Sequence, residues 1–156
     1  METPLRLRLN DALRTAMKAK DKLAVSTVRL ILAAIKDRDI AARGQGNTGG
    51  IGDADVVRVM QAMIKQRQES IELYKQGARQ DLVDQETQEI AIIQRFLPEQ
   101  MTAAEMEKAV ADAARELGAA GLKDMGRTMA LLRERHGGRM DFAQAGAQLK
   151  KLLGAG

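Results

Sequence analysis

The residue types that could do chemistry are few in this chain, and their spacing favours binding over catalysis. The only histidine, His136, stands before Gly137-Gly138 at a helix end and among arginines, a setting for a solvated cation and not for a general base. Ser26 and Ser70 are the only serines; both fall within helical periodicity, with no histidine or lysine arranged to activate a hydroxyl. Cysteine is absent, so there is no thiol nucleophile and no zinc site of the usual kind. Glu86 and Glu89 lie three apart beside Asp81 and Asp84. A carboxylate metal site in a bundle wants Glu-x-x-His pairs, so these acids read as a solvated helix face. No catalytic residue, metal or cofactor is assigned.

What remains is a charge cluster around Lys123-Asp124-Met125-Gly126-Arg127-Thr128-Met129 and Gly138-Arg139-Met140-Asp141. Lys123, Arg127, Arg133, Arg135 and Arg139 face only Asp124 and Glu134 in the local sequence, a composition suited to contacting phosphate. Arg127, Leu131 and Arg135 follow i, i+4, i+8; Lys123 extends the row by a turn, and Arg139 follows in the next turn. A glycine inside a helix costs roughly 1 kcal/mol against alanine, so Gly126, with Gly138, is expected to mark close approach by a helix or a ligand.

Helices must position these residues. Leu5, Leu9, Ala12, Leu13, Ala16 and Met17 give an amphipathic stripe, and Asp21 can cap the next helix. From Lys22 to Ala42 the pattern is apolar nearly all round, which predicts the central, most buried helix, with the tail Lys36-Asp37-Arg38-Asp39 in solvent. Gly44 to Gly52 reads as a flexible loop with almost nothing to bury. No Gly-Lys-Ser/Thr follows it and no strand precedes it, so it is not taken for a phosphate cradle. Asp53 is expected to cap a third helix whose inward register includes Arg67, ending at Gln76 with Gly77 beyond. A fourth runs from near Asp81 to Leu97, where Pro98 stops it. Thr102-Ala103-Ala104-Glu105 is a capping box for a fifth, and two short helices follow, the second capped by Asp141.

The fold class is therefore all-α, with two helical bundles: an N-terminal four-helix bundle over residues 1–97, a linker at 98–101, and a C-terminal three-helix bundle over 102–156. An aromatic content of 2% and abundant Ala, Leu, Gln, Glu, Lys and Arg agree with that class. The formal net charge of +4 divides as +5 over residues 1–43, −3 over 53–101 and +2 over 102–156, too little by itself to announce nucleic acid. No apolar run approaches the ~20 residues that span a bilayer, and the N-terminus has no export-type apolar region. With no cysteine, a reducing compartment fits, and cytoplasm is the expected location.

Ala16-Met17-Lys18-Ala19-Lys20-Asp21, Val28 to Lys36, Glu89 to Ile93 with Phe96-Leu97-Pro98, Asp124-Met125-Gly126-Arg127 and Gly138-Arg139-Met140-Asp141 together resemble the GatB/YqeY family in its stand-alone form, over about Leu5 to Leu153. Met140 stands where the family usually has a small residue, and Phe96 where Tyr is common. The resemblance implies two helical bundles and likeness to the C-terminal helical and tail region of the GatB subunit of tRNA-dependent amidotransferase, whose tail contacts tRNA. The expected function is a non-catalytic module that binds tRNA or associates with an amidotransferase or another translation-related protein. Two alternatives stay open: a partner-dependent component of a carbon–nitrogen ligase with glutamine as amido donor, and a plain protein-interaction bundle. Membrane is not expected among the partners, and the RNA, the protein partner and the oligomeric state are not specified by the sequence.

Overall fold

A computed structural model describes residues 3–154, and among them every regular element is helical. The all-α class holds. The elements are α1 (Pro4–Lys18), α2 (Lys22–Gly44), α3 (Asp53–Gln76), α4 (Gln80–Gln94), α5 (Ala103–Glu116), a one-turn 3-10 helix (Leu122–Asp124), α6 (Met125–His136) and α7 (Phe142–Gly154). The chain divides into two compact units, Met1–Leu97 and Pro98–Gly156.

In the first unit α1 to α4 enclose one apolar core, with Leu9, Ile31, Ile35, Val56, Met60 and Ile93 fully buried. Each such side chain contributes roughly 1.5–3 kcal/mol by leaving water. Asp21 caps α2 as its side chain accepts from Ala24 N at 3.1 Å. Helix α2 is not buried all round, however: Leu30 and Ile40 are 48% and 56% exposed, because only the face carrying Ala24, Val28, Ile31 and Ile35 meets the core. Gly52, not Asp53, is the N-cap of α3. At the end of α3 the positive φ falls on Ala78 (+55°) and not on Gly77, closing the helix with a bond from Arg79 N to Tyr74 O.

The glycine-rich segment buries more than its composition suggests. Ile51 joins the core, and Asp39 and Arg6 bracket it: Ile51 N donates to Asp39 Oδ1 at 2.9 Å, and Arg6 Nη2 donates to Ile51 O at 3.0 Å. Arg6 also forms a two-pronged pair with Asp39 at 2.9 and 2.7 Å. Asp39 is thus drawn inward from the solvent-facing tail that the sequence pattern gave it, and Arg6 holds its carboxyl below the usual range.

In the second unit α5, α6 and α7 enclose a separate core of Met106, Val110, Ala113, Leu132, Met140 and Leu149. The capping box at Thr102 and Glu105 forms in both directions, at 3.0 and 3.1 Å, and Asp141 Oδ1 accepts from Ala143 N and Gln144 N. Residues 99–101 are pinned to the turn after α6: Met101 N donates to Arg139 O at 2.8 Å, Gln100 Nε2 to Gly138 O at 2.7 Å, and Arg139 Nε to Glu99 O at 2.8 Å.

Candidate nucleic-acid interface

The five cations singled out in the second unit are placed by three local devices. Asp124, itself buried, sets the first. Its Oδ2 accepts from Ala120 N at 2.9 Å and Gly121 N at 3.3 Å, while Oδ1 receives Arg127 at 3.1 Å. Those backbone donors, ahead of the arginine, hold its carboxyl below the ordinary value. Thr128 Oγ1 closes the turn by donating to Asp124 O at 2.8 Å. Arg127 is therefore oriented by the carboxylate that starts its own helix, and Lys123 is exposed one turn earlier.

The second device comes from another helix. Arg135 makes a two-pronged pair with Glu116 at 2.6 and 2.7 Å, contributed by α5 nineteen residues upstream. A count of charges along the local sequence misses this acid. Glu116 is held below the usual carboxylate range by Arg135. The third device is an aromatic ring: the Arg133 guanidinium lies 5.6 Å from the centroid of Phe142, a cation–π arrangement on the first turn of α7. Arg139 is engaged with Glu99 O, as described above, and its main chain clamps Met101.

The five cations thus do not form one bare patch. Arg127 and Arg135 share the row on α6, Arg133 is turned toward α7, and Arg139 serves the turn beyond. Exposure of the paired arginines is still substantial, at 52% for Arg127 and 41% for Arg135.

The expectation of close packing at Gly126 is corrected. It is exposed, and a Cβ built on it would meet nothing within 4 Å. The glycine that the packing requires is Gly137, where a Cβ would come 2.9 Å from Arg133 O. Gly138 has a φ of +84°, which lets the chain reverse before Arg139. Met140 is fully buried and Asp141 caps α7, so the Gly138–Asp141 motif is accounted for by structure.

Glu86 and Glu89 also differ from the solvated face expected of them. Arg67, from α3, reaches between them: Nε donates to Glu89 Oε2 at 3.3 Å and lies 3.8 Å from Glu86 Oε2. Glu89 is 7% exposed, and Glu86 Oε2 is buried without a hydrogen-bond partner. Burial, ahead of the neighbouring Glu89, raises the Glu86 carboxyl above its ordinary value. The inward register of Arg67 on α3 is legible in the spacing; that it meets Glu86 and Glu89 of α4 is not. Among the described residues no three His, Cys, Asp or Glu side chains are grouped to hold a metal ion.

A family model described as Yqey-like protein matches residues 6–153. A protein of Lachancea thermotolerans named altered inheritance of mitochondria protein 41, mitochondrial, is 35% identical over 99 residues, covering 64% of this chain and 51% of its own length. The protein of the same name in Kluyveromyces lactis is 32% identical over 88 residues, covering 56% and 45%. An uncharacterized protein of Schizosaccharomyces pombe is 30% identical over 99 residues, covering 64% and 73%. The chain spans about half the length of the first two relatives. Their names overturn cytoplasm as the expected location: lack of cysteine fits any reducing compartment and does not single out the cytosol.

Proposed function

The chain belongs to the YqeY-like family, and from that premise we propose that it is a non-catalytic helical module that binds tRNA or another structured RNA through the phosphates. The observation that supports this reading is the α6 row, in which Arg127 and Arg135 project half-exposed guanidiniums from one helix face. Each has a carboxylate that orients it. An ion pair at a solvated surface is worth only about 0–1 kcal/mol, so exchanging Glu116 for a phosphate oxygen at Arg135 costs little, and the fork geometry of the arginine suits either anion. Lys123 and Arg139 flank the row, and Arg133 lies on the neighbouring face. The mitochondrial names of the relatives support an organellar setting for this role.

The test is a filter-binding titration at low salt with tRNA and R127E/R135E. Neutralising two to four phosphates gives a weak complex, with Kd on the order of 10⁻⁴ to 10⁻⁶ M. The double variant should lose most of the binding with its helical circular dichroism intact. A wild-type protein that retains no tRNA or other structured RNA would overturn the reading.

A further inference from the structure

A second cationic row lies outside the residues discussed so far. Lys22, Arg29, Lys36 and Arg43 recur every seventh residue along α2. Seven residues of α-helix advance about 10.5 Å and fall short of two turns by about 20°. The four side chains therefore occupy a strip about 60° wide and about 31 Å long on a single rigid element. All four are exposed, and among the described residues none of them forms an ion pair or a side-chain hydrogen bond. Three other exposed arginines of this unit differ: Arg14, Arg58 and Arg79 are each tied to an aspartate two or three residues away.

Three observations set the row apart from a solvated face. The helix is fixed, because its opposite side buries Ala24, Val28, Ile31 and Ile35 in the core. α2 carries only two acids: Asp37 lies about 100° round from Lys36, and Asp39, which borders the strip between Lys36 and Arg43, has both carboxylate oxygens engaged by Arg6 and Ile51 N. The row also ends in a concavity. An open cleft of about 290 Å³ is lined by Lys36 and Arg43 and by the Arg6–Asp39 pair, together with Asn10, Thr48 and Gly49, uncharged groups that can meet a ribose hydroxyl beside the phosphate the cations hold.

We propose that this face of α2, ending in the cleft beside Asn10 and Thr48, is a contact surface for the backbone of double-stranded RNA. The inference rests on the RNA-binding reading above and places a second, larger contact in the first unit. A straight, evenly spaced row of fixed charges suits a regular duplex better than a flexible strand. Single-strand binding is disfavoured further because Phe96 is buried, and Phe142 and Tyr74 are both half-buried, which leaves no exposed ring for stacking.

The experiment titrates the full chain with a short RNA duplex at several salt concentrations. K22Q/R29Q/K36Q/R43Q is compared with R14Q/R58Q/K75Q/R79Q, which removes the same charge from ion-paired positions of the same unit. Four phosphate contacts predict that the α2 variant loses roughly tenfold or more in affinity and that its log K against log salt slope is shallower by roughly 3 to 4. The control set should change both by much less. If the α2 quadruple variant loses helicity, R29Q/K36Q carries the test, with an expected slope change of roughly 2. Equal losses from the α2 and control sets, or no loss from the α2 set, would overturn the α2 proposal; provided that R127E/R135E still weakens binding, the RNA reading would stand. A wild type that binds anionic phospholipid vesicles but no RNA would remove both.

Discussion

At the scale of single residues, the buried pair of glutamates around Arg67 carries an uncompensated cost. One guanidinium faces two carboxylates, and Glu86 Oε2 has no hydrogen bond to offset its burial. With its folded-state carboxyl raised above the ordinary value of 4.5, Glu86 binds a proton more tightly folded than unfolded. Its contribution to stability is therefore fully present below the unfolded value, where both states are protonated, and is lost as pH rises through the raised folded one. E86Q keeps the shape and removes the charge. It should melt at a higher temperature than wild type at neutral pH, with the advantage vanishing near pH 3. A lower melting temperature at pH 7 would show that attraction to Arg67 outweighs desolvation. Asp39 behaves in the opposite sense: lowered by Arg6, it supports the fold above its unfolded value and withdraws that support as the pH falls.

At the scale of elements, α6 separates two glycines that look alike in sequence. Gly126 lies in the exposed first turn with free space around it, so G126A gains helix propensity and loses nothing; about 0.5–1 kcal/mol of added stability is expected. G137A forces a methyl to within 2.9 Å of Arg133 O and should be destabilising by about 1–3 kcal/mol. Urea denaturation of the two variants checks the pair. If G126A proves the more damaging, something unseen in the folded chain approaches that backbone. Asp124 shows how one carboxylate can organise an element boundary: it fixes two loop amides, orients Arg127 and leaves its carbonyl to Thr128.

At the scale of the whole molecule, each apolar core draws its residues from one unit alone. Leu149 is fully buried in the second core, and L149A should remove about 2–5 kcal/mol there by lost transfer energy and the cavity left behind. Native-state hydrogen exchange is the appropriate measurement. Amides of α5, α6 and α7 should lose protection while those of α2 and α3 keep theirs. Uniform loss through both units would mean that they unfold as one.

Much of this architecture follows from sequence because helices announce themselves locally. The all-α class, the capping residues Asp21, Thr102 and Asp141, and the inward register of Arg67 all rest on periodicity and short-range hydrogen bonding, which the chain carries within a few residues. The heptad spacing of Lys22, Arg29, Lys36 and Arg43 is equally local, although it has to be read against which side of α2 is buried before it means anything. Tertiary structure alone decided which charges remain available. Glu116 reaches Arg135 from another helix, Phe142 attracts Arg133, Arg67 joins Glu86 to Glu89, and Asp39 turns in to hold Ile51. The physical reason is the range of the interactions: a cap or an amphipathic stripe is settled within one or two turns, whereas an ion pair depends on where the fold places residues tens of positions apart.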